Sequence, residues 1–108
     1  MDRPSVLKVF ENTTGPATKL VDLRGQNCSG YFALYAKESG AGVTFSYKVG
    51  IDGDNLIVPD DPLTTGANGT IGAVTGSGYI PFICPVARVI EIAASAAVDE
   101  AHLIFSYG

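Results

Sequence analysis

Apolar and polar residues alternate with period two along much of this chain, which is the signature of half-buried β-strands. In VTFSYKV, Val43, Phe45, Tyr47 and Val49 fall on one side, with Thr44, Ser46 and Lys48 on the other. RVIEIAAS sets Val89, Glu91 and Ala93 against Ile90, Ile92 and Ala94, and AHLIFSYG sets Leu103, Phe105 and Tyr107 against His102, Ile104 and Ser106. YFALYAK, from Tyr31 to Lys37, is apolar on both sides, which suits a central strand covered twice or a strand at an interface. Weaker strand patterns are SVLKVF, TKLVDL, NLIVP and YIPFIC, and Pro81 restricts the last of these to a sheet edge or a bulge.

Gly-, Asn- and Asp-rich punctuation separates these segments: NTTGPA, RGQNCSG, ESGAG, GIDGD, PDDPLTTGANG and TGSG. About eight short antiparallel strands with turn signals every eight to twelve residues predict an all-β fold, a single small jelly-roll-like β-sandwich over residues 1–108. Residues 1–16 read as a candidate N-terminal arm and residues 59–78 as one long Gly-rich loop. The Ala-rich IAASAAVDEAH lies between strands and is too short for a packed helix, so a turn or a single helical turn is expected there.

Composition narrows the partners. A 46% hydrophobic, 17% charged chain of 108 residues can build one modest core. Its formal charge of −4 and pI near 4.6, with seven scattered basic residues, argue against nucleic acid. Pro81, Pro85, Arg88 and Glu91 interrupt the most apolar stretch, so no membrane span is expected. The N-terminal residues show no apolar leader core, which leads us to expect folding in the cytosol, with Cys28 and Cys84 as free thiols rather than a bridge. The Asn-x-Ser/Thr triplets at Asn12, Asn27 and Asn68 then read as turn residues.

Candidate chemistry is sparse. Asp52 and Asp54 alternate around Gly53, and Asp61 follows, as in a calcium loop; the closing position holds Leu63 where a bidentate Glu is needed. Asp-Gly between two strands is also a hairpin signal, and the turn is the expected role. His102 is the only histidine and sits in an alternating strand. The glycines of TTGANGTIGAVTGSG lack the Gly-Lys-Ser/Thr ending of a phosphate loop, and TGSGY lacks the spacing of a nucleophile elbow. No cofactor and no enzymatic activity are expected. Five tyrosines and no tryptophan leave an aromatic sugar platform as an alternative.

Three segments, VDLRG, GYFALYAKESGAGVTFSYKVGIDGDN and YIPFICPVARVIEIAAS, together with the closing strand, resemble small virion proteins of tailed bacteriophages. The resemblance runs from Val21 onward; Leu56 or Ile57 stands where those proteins often carry a Trp after the Asp-Gly turn. It implies a virion location and a capsid decoration (cement), head-fibre or tail-accessory role, and it carries no catalytic residue over. The expected partners are the major capsid protein and further copies of the chain. The apolar strand at Tyr31–Ala36 and the segment from Tyr79 exceed what one small core needs, so a neighbouring subunit is expected to cover part of them. The interface candidates are Val6, Leu7, Phe10, Tyr31, Tyr35, Leu63, Tyr79 and Phe82.

Overall fold

A computed structural model describes residues 4–23, 28–58, 69–83 and 88–107, with 4–5, 28–31 and 106–107 described in backbone only. The alternating segments form strands: β1 (Pro4–Glu11), β2 (Ala17–Asp22), β3 (Cys28–Lys37), β4 (Val43–Gly50), β5 (Leu56–Ile57), β6 (Thr70–Val74), β7 (Ser77–Ile83), β8 (Val89–Ala94) and β9 (Glu100–Tyr107). Sheet I has the order β1-β9-β3-β7; sheet II has the order β2-β8-β4-β5, with β6 also on β4. β5 pairs with Val49 and Gly50 while β6 pairs with Val43 to Ser46, so the two share one edge of β4. Four strand positions per sheet result, and the chain crosses between sheets at nearly every connection. This is the double-sheet order of a jelly roll.

The core lies between the two sheets, where one side of each alternating strand is buried. Strand β4 alternates without exception, with Val43, Phe45, Tyr47 and Val49 buried and the residues between them exposed. Phe45, Leu34, Ile90, Ile92 and Leu103 are fully enclosed, and each contributes about 1.5–3 kcal/mol of burial free energy. Phe32 stacks on Phe82 at 5.6 Å and lies 5.7 Å from Phe105, while Tyr47 meets Phe82 at 5.3 Å. The buried Tyr47 places its hydroxyl within donating distance of the Ile83 carbonyl, 3.2 Å away on the opposite sheet.

Three sequence expectations are corrected. Residues 4–11 are a strand hydrogen-bonded to β9 rather than a free arm, because Leu7 and Phe10 have apolar partners in register at Leu103 and Ala101. The stretch read as one loop over 59–78 contains β6 and the start of β7; Gly72, at φ 152°, lets β6 bulge against β4. Residues 59–68, including Asp60, Asp61 and Leu63, lie outside the described residues, as do Asn27, Asn68 and Cys84 and hence any Cys28–Cys84 pairing. Phe10 and Phe82 are core residues, and the half-buried Leu7 packs against the core, so these three line the interior instead of a free surface. The bulge between Lys8 and Phe10 turns Phe10 inward. Pro81 does occupy an edge strand: β7 pairs only with β3 among the described strands, with Pro81 opposite Ala33.

The connections at one end are bound together. The Glu38 carboxylate, nearly enclosed, accepts from the Gly40 and Gly42 amides at 2.9 Å each on Oε1 and from the Gly76 amide at 2.6 Å on Oε2. It ties the β3–β4 turn to the β6–β7 turn. Thr13 does the same for the β1–β2 and β8–β9 connections: its Oγ1 accepts from Val98 N at 2.8 Å, and its own N–H donates to the Val98 carbonyl at 2.9 Å. Ser39 Oγ donates to Asp99 Oδ2 and closes the group.

Candidate contact face on sheet I

The outward sides of the two sheets differ in chemistry. On sheet II, register aligns Thr18, Ala93 and Ser46 in one row and Leu20, Glu91 and Lys48 in the next. Those two rows are polar apart from Leu20 and Ala93; a third, Asp22–Val89–Gly50–Leu56, is partly apolar and leads to the exposed Ile51, Ile57 and Val58 at the β4–β5 hairpin. On sheet I the rows read Val6–Ile104–Ala33–Pro81, then Lys8–His102–Tyr35–Tyr79, then Glu11–Glu100–Lys37–Ser77. An apolar row is thus followed by an aromatic row and a charged row.

Side-chain geometry makes the aromatic row continuous. Tyr35 lies 6.1 Å from His102 in near-parallel stacking and 6.4 Å from Tyr79 in a tilted contact. Lys37 Nζ sits 6.0 Å from the Tyr35 ring centroid. Its ammonium is held above the ordinary lysine range, first by a hydrogen bond with the Tyr35 side chain, then by the charges of Tyr35 and Glu100. Val6 and Tyr79 remain 58% and 60% exposed, whereas Ala33, short and flanked by larger side chains, is only 8% exposed. Large exposed apolar groups at the margins around a recessed small residue make a shaped surface rather than scattered exposure.

Of the interface candidates, Val6, Tyr35 and Tyr79 come together on this face. The backbone register of Tyr31, opposite Ile83, belongs to the same side of β3 as Tyr35. Sequence reasoning missed Ala33, Lys37, Glu100, His102 and Ile104 as members of the face. The alternation of β9 does place His102 and Ile104 on one side; what it lacks is the strand lying beside them.

The acidic stretch at Asp52 is a turn. Asp52 Oδ1 accepts from the amides of Asp54 at 2.9 Å and Asn55 at 3.0 Å, and Asn55 Nδ2 donates to Oδ1 at 2.8 Å and to Oδ2 at 3.0 Å. These bonds, led by that from the Asp54 amide, hold the carboxyl below the usual aspartate range. The carboxylate is committed to closing the hairpin between β4 and β5, and Asp54 has only its backbone in that arrangement. Among the described residues no three His, Cys, Asp or Glu side chains converge as a metal site, and no helix is long and apolar enough to cross a membrane. A second apolar group, Ile51, Ile57 and Val58, borders this hairpin and runs into residue 59 in the chain.

Compared with protein-family models, with curated proteins and with solved structures, the chain shows no match in any of the three.

Proposed function

We propose that this chain is a non-enzymatic structural protein of a bacteriophage virion, a jelly-roll module that decorates and stabilises the head by binding the major capsid protein as a small homo-oligomer. The observation carrying the reading is the outer face of sheet I, where Val6, Ile104, Tyr35 and Tyr79 lie side by side in adjacent rows next to a row of charges, whereas the exposed apolar residues of sheet II are Leu20 and a group confined to its β4–β5 hairpin. A face of that composition is typical of contact surfaces, where aromatic residues supply contact area at little entropic cost. The face suits association between copies, and the sequence segments that resemble phage virion proteins lead us to assign the resulting oligomer, through its remaining surface, to a capsid. Decoration then works by mass action, because a protein that binds only the assembled lattice stabilises that lattice. Particles assembled without this chain are expected to break at lower temperature and under milder osmotic shock than complete ones. Equal stability of the two particle types would remove the decorating role.

The Tyr35–Tyr79 pair favours one second reading, a displayed module that binds carbohydrate on an aromatic platform flanked by Lys8, Lys37 and Glu100. A glycan array probed with the purified chain tests it, and an array without binding rejects it.

A further inference from the structure

We propose that the outer face of sheet I is covered by the same face of a second copy, related by a two-fold axis running along the strands between β9 and β3. This inference rests on the contact-face reading above and names the occupant. The register decides the geometry. Such an axis lays β9 of one copy over β3 of the other and β1 over β7, row upon row.

Each row then meets a complementary one. Ile104 sits over the recessed Ala33, a large side chain over a small one; Val6 sits over Pro81. His102 covers Tyr35 and extends the aromatic stacking, and Lys8 covers Tyr79 in a cation–π position. Glu100 lies over the second copy's Lys37, and Lys37 over its Glu100, so four charges alternate across the interface. Turning the axis across the strands, centred on the aromatic row, would set Glu100 over Ile104 and Lys37 over Ala33. That arrangement buries charges against apolar groups and is disfavoured.

The sheet edges point the same way. Strand addition needs a long regular edge, and each edge here carries a device against it. Pro81 interrupts the donor row of β7, a bulge interrupts β1 between Lys8 and Phe10, and beyond β4 lie β5, two residues long, and β6, which bulges at Gly72. On β2, Lys19 pairs with Ile92 and so stands on the core-facing side of an edge strand. With its edges protected, the molecule associates through its face. Four strands about 4.8 Å apart and eight residues long at about 3.4 Å each offer roughly 500 Å² per copy. The total of about 1,000 Å² reaches the threshold that a specific interface should clear, at the small end of the range.

Analytical ultracentrifugation of charge-swapped variants tests the axis. Glu100→Lys and Lys37→Glu each place like charges at every crossing and are expected to sediment as folded monomers, with folding checked by circular dichroism. Mixed one to one, they restore opposite charges at both crossings, and a heterodimer is expected. Lys48→Ala, on the polar face of sheet II, should dimerise like the unaltered chain. A mixture that stays monomeric, or an unaltered chain that is monomeric at micromolar concentration, overturns the proposal. Neither result bears on the particle-stability experiment, so loss of the two-fold and loss of the decorating role are read separately.

Discussion

Leu34 and Tyr35 are adjacent in β3 and face opposite sides, so truncating each to Ala should separate stability from association. Leu34 is fully enclosed and in register with Leu103 on one side and Ile80 on the other. Leu34→Ala removes three buried carbons at about 0.8 kcal/mol each and leaves a cavity in a packed interior, for a total near 3 kcal/mol. In a domain of this size, whose whole stability is about 5–15 kcal/mol, that corresponds to a Tm lowered by roughly 12–24 °C. Tyr35 is half-exposed, and its removal takes away the contacts to His102 and Tyr79, worth about 1 kcal/mol within the monomer. Its larger effect falls on the dimer. Urea denaturation of dilute protein, where association is absent, gives the folding term, and sedimentation at micromolar concentration gives the other. We expect Leu34→Ala to lower the urea midpoint strongly yet still dimerise at temperatures where it is folded. Tyr35→Ala should melt close to the unaltered protein and lose the dimer. If both variants lose stability and association in the same proportion, the division of β3 into a core side and a contact side is mistaken.

Further outcomes follow from the turns. Glu38 is held below the ordinary glutamate range, chiefly by the Gly76 amide, so its contribution to stability is complete above the unfolded-state value and disappears as pH falls through the folded one. Stability should therefore decline below roughly pH 4.3, and Glu38→Gln should flatten that decline while lowering stability at neutral pH; an unchanged acid profile would contradict the role given to the carboxylate. A Cβ on Gly50 would lie 2.0 Å from the Asn55 carbonyl oxygen, so Gly50→Ala should open the β4–β5 hairpin and lower the Tm, and a neutral melting curve would count against this geometry. Because the Asp52 oxygens already accept four hydrogen bonds, millimolar calcium should leave the melting transition where a chelator leaves it, and a calcium-dependent rise would reinstate a metal site.

Period two carried most of the fold, because in β4 and β9 one side is buried and the other is not, and the residues record that difference directly. The hairpin from Val49 to Leu56 was equally legible, since Asp-Gly turn chemistry is local. β6 was not: TIGAV offers five residues with a glycine in the middle, and its strand character comes from the edge of β4 that it completes. Phe10 and Phe82 illustrate a different limit. Both are aromatic residues in weak strand patterns, and whether such a residue faces core or surface depends on a bulge in one case and on Phe32 and Tyr47 as neighbours in the other. The contact face was half legible. Tyr35 and Tyr79 stand out as aromatic, but their meeting with His102 requires that the last strand insert between the first and the third, which no local pattern records.

That insertion also sets the order of events during synthesis. β1 finds its partner in a strand about a hundred residues later, and among the described strands β9 alone joins β1 to β3 in sheet I. As the chain leaves the ribosome, β4 and β8 can join sheet II while β1 still lacks the strand it hydrogen-bonds to among the described residues, so its backbone edges stay open. Closing sheet I is then a late, long-range step of the kind that slows folding and exposes nascent chains to aggregation. Ribosome-stalled chains ending before Glu100 should accordingly be protease-sensitive in β1, and should acquire protection only once β9 has emerged.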